Sequence, residues 1–337
     1  MSQITDKLGR PLRDLRISVT DRCNFRCTYC MPRELFGPDH VFLPRSALLS
    51  YEELVRLAHA FVKLGVKKIR ITGGEPLLRR DLPVLISKLT QEVGIEDISL
   101  TTNGVLLPRL AGQLKDAGLK RINVSLDSLD TDRFAAMNGQ SSSPQKVIDG
   151  IDAAQSAGLS VKVNMVAKLG MNDCDILPMT EYFRERKITL RFIEFMDVGE
   201  TNQWKLGEVV PAKQILDTIA SRFSFKPVDP SYRGEVATRY RFDDTDCEFG
   251  IITSITNPFC GDCNRARISA EGDFYTCLFA SSGISLKEKI RSGVSDDELL
   301  QFLSRIWLGR HDRYSEDRHK GVPAERKKKV EMSYIGG

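Results

Sequence analysis

No apolar run in this 337-residue chain approaches the roughly 18 residues that a membrane-spanning helix requires. The opening stretch, MSQITDKLGRPLRD, is polar and lacks the apolar core of a secretory leader. Both absences lead us to expect a cytoplasmic protein with no membrane partner, where a reducing environment disfavours disulfides. No Gly-x4-Gly-Lys-Ser/Thr segment occurs, which excludes a phosphate cradle of the P-loop kind. Histidine is scarce: His40, His59, His311 and His319 sit outside any triad-like context and read as surface or helix-face residues. Charge of one sign is not in large excess either. The net charge is only +4, and the one basic run, Arg326 to Lys329, reads as a solvated tail rather than a nucleic-acid contact.

What is present is an ordinary globular composition, 41% apolar and 28% charged, long enough for one large domain or two smaller ones. The 8 cysteines are distributed unusually. Six form two triplets, Cys23-x3-Cys27-x2-Cys30 and Cys260-x2-Cys263-x13-Cys277; Cys174 and Cys247 stand apart. In a reducing compartment, such clustering implies metal sites. Three thiolates within one short loop can each bind a separate iron of a cubane and leave the fourth iron open to an exogenous ligand. A structural zinc would want a fourth ligand nearby, and His40 lies ten residues beyond Cys30 in another loop. For the second triplet an alternative stays open: Cys247 could close a four-cysteine site with Cys260, Cys263 and Cys277.

Six segments read as strands: 15–20, 68–73, 97–103, 121–127, 161–168 and 190–198. Between them the pattern predicts helices opening at Ser50 and over 82–92, 107–117, 143–157 and 175–186. The first carries a capping box, Ser50-Tyr-Glu-Glu53, followed by Leu54, Leu57, Ala58 and Phe61 at helical spacing. Such alternation predicts an α/β fold: a parallel sheet with right-handed crossovers, forming a partial (β/α)6 barrel. After Gly199 the pattern changes to short strands near 236–242 and 249–253 and a helix near 296–308, so we expect a barrel over 1–200 and a C-terminal α+β extension over 201–337.

Parallel strands covered on both faces normally read as continuous apolar runs. Here they alternate: Ile17 and Val19 oppose Arg16 and Ser18, Ile69 and Ile71 oppose Arg70 and Thr72, Ile122 and Val124 oppose Asn123 and Ser125. Each strand therefore has one polar face. With helices over the apolar face, the polar one lines the interior, and so polar a lumen must hold ligand and water.

Cys23-x3-Cys27-x2-Cys30 with Tyr29 before the last cysteine, together with Gly73-Gly74-Glu75-Pro76 after the second strand, resembles the hallmarks of the radical S-adenosylmethionine (SAM) superfamily. The second triplet, Asn264-Arg265-Ala266-Arg267 within it and the terminal Gly336-Gly337 narrow the resemblance to the GTP 3′,8-cyclases of molybdenum cofactor biosynthesis. That resemblance implies two [4Fe–4S] clusters, held by Cys23, Cys27 and Cys30 and by Cys260, Cys263 and Cys277. It implies SAM contacts at Tyr29, Gly73, Gly74, Glu75, Ser125 and Met196. It also implies GTP contacts at Arg16, Arg70, Thr101, Lys162, Arg265 and Arg267, and a catalytic diglycine tail, Gly336 and Gly337.

In that family an external one-electron donor of flavodoxin or ferredoxin type reduces the first cluster, and SAM cleavage gives a 5′-deoxyadenosyl radical. The radical takes the 3′ hydrogen of GTP, and the product passes to cyclic pyranopterin monophosphate synthase. A homodimer is the family expectation. The residues alone leave two other readings open: a radical SAM maturase of peptides or small molecules with an auxiliary cluster, and a non-catalytic iron–sulfur electron carrier.

Overall fold

The computed structural model describes residues 4–140, 142–321 and 328–336. Its strands are β1 (Asp14–Ser18), β2 (Lys68–Thr72), β3 (Asp97–Thr102), β4 (Arg121–Ser125), β5 (Ser160–Ala167) and β6 (Thr189–Glu194). There follow β7 (Phe225–Val228), β8 (Thr238–Phe242), β9 (Glu248–Ile252), β10 (Arg265–Ile268), β11 (Asp273–Tyr275) and β12 (Ile284–Ser285). All belong to one 12-stranded sheet in the order β12-β11-β10-β1-β2-β3-β4-β5-β6-β9-β8-β7. From β10 to β9 every neighbouring pair is parallel; the pairs beyond, on both sides, are antiparallel. The C-terminal extension thus adds to both edges of the sheet that the first six strands begin.

The helices in this first part are α1 (Tyr51–Lys63), α2 (Leu82–Gln91), α3 (Leu107–Asp116), α4 (Thr131–Asn138), α5 (Gln145–Ser156) and α6 (Ile176–Glu185). Helix α1 starts where the sequence predicts, with both hydrogen bonds of the Ser50–Glu53 capping box formed. Its Leu54, Leu57 and Phe61 are buried with Ile17, Ile69, Ile71, Ile98 and Leu100 in one core. The apolar strand phase is therefore the one the helices cover.

Three expectations shift. Strand β6 stops at Glu194 instead of running to residue 198. Helix α4 was not expected; the Asp130 carboxylate caps it by accepting from the Asp132 and Arg133 amides. In the basic run, Lys329 is not a solvated tail residue: its Nζ donates to the Asp197 carbonyl at 2.8 Å and carboxylate at 2.9 Å. Arg326 and Lys327 lie outside the described residues, and Lys328 is exposed.

The remaining helices are α7 (Ala212–Ala220), α8 (Leu286–Arg291), α9 (Asp296–Gly309), α10 (Tyr314–His319) and α11 (Met332–Ile335). Helix α9 opens on a second capping box, Ser295 with Glu298, and buries Leu299, Leu303 and Trp307. No helix among the described residues is long and apolar enough to cross a membrane.

Candidate active site

The polar strand phase lines a cavity of about 560 Å³. Residues from β10 across to β9 contribute to it, so the sheet curls around the space. Register places the cations in rows: Arg267 of β10 pairs with Arg16 of β1, Arg16 with Arg70 of β2, and Arg70 with Ser99 of β3. One turn of the pleat earlier, Arg265, Asp14, Lys68 and Asp97 form a second row. Thr101, Asn123 and Lys162 make a third across β3, β4 and β5.

Like charges packed this closely depress one another's protonation. Burial, then Arg267 and Arg70, pulls the Arg16 guanidinium well below its usual range. Burial, then Arg70 and Arg121, brings Lys68 down to about 8. Asp14 is the carboxylate set among them. Burial opposes its ionisation, yet Arg70, and after it Arg16, Lys68 and Arg265, hold it below the carboxylate range. Arg70 Nε donates to Asp14 at 2.9 Å, while Arg16 Nε, Asp14 Oδ1 and Ser99 Oγ are buried with no hydrogen-bond partner. Of these, Arg16 and Ser99 line the cavity, and orphaned donors there are what an anionic, multiply hydrogen-bonding ligand satisfies.

The first triplet follows the C-terminal end of β1. Backbone bonds from Arg26 to the Asn138 carbonyl and from Thr28 to the Met137 carbonyl tie its loop to the end of α4. The loop also presses on the turn after β2: the Gly74 amide donates to the Thr20 carbonyl and the Glu75 amide to the Arg22 carbonyl, both at 2.7 Å. A Cβ on Gly73 or Gly74 would run into those carbonyls, so the two glycines admit the cysteine loop. Glu75, 1% exposed, accepts from the Leu77 and Asn103 amides and the Thr102 hydroxyl. Its carboxyl, pushed up to about 7 by burial against those three donors, locks the end of β3 to this turn.

Cys23, Cys27 and Cys30 all line the cavity. Burial, then Glu75, raises the Cys23 thiol to about 11; burial, then Cys23, raises Cys30 to about 12. Burial, then Asp127 and the other two thiols, raises Cys27 as well. Three buried sulfurs with few cations beside them suit a cationic metal cluster, which displaces the protons. The Tyr29 hydroxyl between them donates to Asp127 Oδ2 at 2.7 Å.

The second triplet lies at the opposite ends of the same strands. Cys263 precedes β10, parallel to β1, and Cys277 follows β11, antiparallel to β10. Cys260, Cys263 and Cys277 line the same cavity. Burial alone would raise Cys263, but Arg265 and then Arg310 hold it down to about 6; burial and then Asp312 push Cys277 up to about 12. Arg265 donates to Cys263 Sγ at 3.3 Å and stacks 4.9 Å over the Phe259 ring. Among the described residues, no three His, Cys, Asp or Glu side chains converge tightly enough to hold one metal ion. A cubane, taking one sulfur per iron, has no such requirement. Each triplet offers the three thiolates that such a cluster takes.

Arg16, Arg70, Thr101, Lys162, Arg265 and Arg267 line the cavity, as do Gly73, Gly74, Glu75, Ser125 and Met196. Gly336 is not among the lining residues but touches one of them, its carbonyl accepting from buried Arg267; Gly337 lies outside the described residues. The sequence reading missed Lys68, Arg121, Asn123, Asn164 and Arg191, which also line it. Lys68, Arg121 and Asn123 sit on the polar phase already identified, which could have found them, and Asn164 and Arg191 take the equivalent places on β5 and β6. Cys247 is 9% exposed in the hydrophobic core, away from the cavity lining, so it does not close a fourth corner of the second site. Cys174 and all four histidines are exposed.

The sequence profile of the Radical SAM superfamily matches residues 17–183, and that of Molybdenum Cofactor Synthesis C matches residues 188–316. The chain is similar to the GTP 3′,8-cyclase of Staphylococcus haemolyticus (strain JCSC1435), 54% identical over 339 residues with 100% of both chains covered. It is equally similar to that of Staphylococcus aureus (strain Mu3), again 54% identical over 339 residues and 100% of both. Among solved structures it resembles Streptococcus suis SuiB bound to precursor peptide SuiA, with a TM-score of 0.60, 16% identity, and 90% of this chain and 66% of that one covered. SuiB bound to S-adenosylmethionine gives a TM-score of 0.58 at 16% identity, over 79% of this chain and 60% of that one. The chain spans about two thirds of those longer neighbours, and at that identity the likeness concerns the fold alone. Full-length identity above one half, with both family profiles matched, shows that this chain belongs to the GTP 3′,8-cyclase family of radical SAM proteins.

Proposed function

We propose that this chain is a lyase-type radical SAM cyclase that converts GTP to (8S)-3′,8-cyclo-7,8-dihydroguanosine 5′-triphosphate, the first step of molybdenum cofactor biosynthesis. The observation that carries the reading is that both triplets line one cavity, at opposite ends of the strands whose cationic rows lie between them. Cys23, Cys27 and Cys30 would hold one [4Fe–4S] cluster and Cys260, Cys263 and Cys277 a second. The first cluster, with SAM bound, supplies a carbon-centred radical able to abstract hydrogen from the ribose 3′ position.

The chain's own residues select and hold the substrate. Arg16, Arg70, Lys68 and Lys162 offer a polyanion several donors and a strongly positive field in a space partly shielded from water. Arg265 and Arg267 place two more cations beside the second triplet, where the guanine end would sit. The Gly73–Glu75 turn, Tyr29, Ser125 and Met196 line the side near the first triplet and would contact SAM. Fixing both molecules on rigid strands supplies the orientation that confines hydrogen abstraction to one carbon.

The reading extends to a flavodoxin- or ferredoxin-type electron donor, a cytoplasmic location, a homodimer, and hand-over of product to cyclic pyranopterin monophosphate synthase. Anaerobic reconstitution tests the core of it. About eight irons per chain with matching sulfide supports two cubanes, and about four leaves only one. Release of 5′-deoxyadenosine should depend on GTP; release unaffected by GTP would overturn the substrate assignment.

A further inference from the structure

Behind the second triplet lies a network of four charges, three of them buried and the fourth, Asp312, 26% exposed. Arg10 and Arg310 have side chains 1% exposed, and Asp6 is fully buried between them. Arg10 Nε donates to Asp6 at 2.6 Å, and Arg310 Nη1 donates to Asp6 at 3.2 Å. Arg310 also pairs with Asp312 at 3.1 Å and lies 4.6 Å over the Trp307 ring, whose Nε1 donates to the Arg10 carbonyl. A segment near the start of the chain is thereby clasped to the end of α9.

The network touches the backbone or a neighbour of all three cysteines. Arg10 Nη1 donates to the Cys260 carbonyl at 2.9 Å, and Arg310 Nη1 to the Cys263 carbonyl at 2.7 Å. Asp312 accepts at 2.8 Å from the hydroxyl of Thr276, the residue before Cys277. Burying Asp6, Arg10 and Arg310 in ionised form is expensive, and apolar residues of similar volume often stabilise a fold as well or better. Fold stability is therefore a weak reason for this arrangement. Three of the charges, Arg10, Arg310 and Asp312, instead each reach a segment that carries one of the sulfurs, with Asp6 holding the two arginines.

We propose that Arg310 and Asp312 are positioning residues of opposite effect that set the reduction potential of the second cluster. This rests on the two-cluster reading above. One-electron reduction adds a negative charge to the cluster. In a low-dielectric interior the nearby guanidinium stabilises that reduced form, and the nearby carboxylate destabilises it. Arg10, anchored to the Cys260 carbonyl and to Asp6, keeps the loop in place while the other two bias the charge.

The test is a redox titration of the reconstituted full chain, with mediators, followed by electron paramagnetic resonance of each cluster. Arg310→Gln should shift the second cluster's midpoint downward and Asp312→Asn upward, with the first cluster, at the other end of the strands, unmoved. Arg310→Lys, which keeps the charge but loses the fork, should return most of the way to the wild-type midpoint. A purely structural role would move both variants the same way or not at all, and either result overturns the proposal. If Arg310→Gln fails to retain the cluster, the upward shift in Asp312→Asn and the near-wild-type value in Arg310→Lys are both required, and absence of either overturns it. A wild-type chain holding about four irons would overturn the two-cluster reading itself, a result distinct from two clusters with unmoved potentials.

Discussion

The guanidinium of Arg267, buried on β10, donates to the backbone carbonyl of Gly336. This bond brings the end of the chain into the row of cations that β10, β1 and β2 present to the cavity. The approach is held further back as well. Glu331 accepts from the Glu200 amide and the Thr201 hydroxyl, and the Tyr334 hydroxyl donates to Glu271 at 2.6 Å with Asp273 an alternative acceptor at 3.0 Å. Ile335 is fully buried. The described tail residues 331–336 are thus seated by side chains, Arg267 among them.

Gly336 has φ of +75°, and a Cβ there would collide with the Thr72 side chain. Gly336→Ala should therefore unseat the tail at a cost of about 1–3 kcal/mol. Expressed as turnover, that is a fall of roughly 5- to 150-fold. Both clusters should remain, since no cysteine contact is touched. GTP-dependent 5′-deoxyadenosine release, measured beside iron content, checks this; full turnover in the variant would show that the tail is not needed.

Cys247 packs in the core beside β8 and β9. Cys247→Ser should leave the iron content of the second site unchanged while burying a hydroxyl, at a cost of about 1–3 kcal/mol in stability. Loss of about four irons in the variant would instead restore Cys247 as a ligand. Thermal melts and iron analysis of the same preparation separate the two outcomes.

Local pattern explains what could be read in advance. The alternation of Arg16, Ser18 and Thr20 with Ile17 and Val19 is written in consecutive residues, and so is each cysteine triplet. The six parallel strands, the polar lumen and both sulfur sets followed from such runs. What could not be read is pairing across long separations. Strand β10 is only four residues long, and nothing in Arg265–Ile268 announces that it lies beside β1 and sets Arg267 level with Arg16. The same limit hid Asp14 as the carboxylate among the cations, the Arg10–Arg310 clasp, and the pairing of Lys329 with Asp197. Gly73 and Gly74 were readable as a close approach, but not that the approaching chain is the backbone of Thr20 and Arg22.

The cationic rows store repulsion in the ligand-free protein, and a polyanion should relieve it. Inorganic triphosphate or GTP at about 100 times its dissociation constant should stabilise the fold by about 2.7 kcal/mol. Arg16 has an Nε without a partner, and burial, then Arg267 and Arg70, push its protonation down. Arg16→Gln should raise the melting temperature of the ligand-free chain and shrink the increase that triphosphate produces. A lower ligand-free melting temperature with an unchanged increment would mean that Arg16 is a structural ion.

Lys68 gives the site a pH dependence of definite sign. Its ammonium, lowered to about 8 by burial and then by Arg70 and Arg121, is held from below by Asp14 and Asp97 and bonded to the Tyr232 hydroxyl at 3.3 Å. An anion binds the protonated form better, so affinity is fullest below pH 8 and is lost as pH rises through that value. The fall should reach up to about tenfold per pH unit between 8 and the higher pKa of the bound state. Arginine stays charged throughout this range, so Lys68→Arg should flatten the profile. Calorimetric titration with GTP at pH 7, 8 and 9 reads this directly. A wild-type profile as flat as the variant's would place Lys68 away from the phosphates, leaving Arg16, Arg70 and Lys162 to hold them.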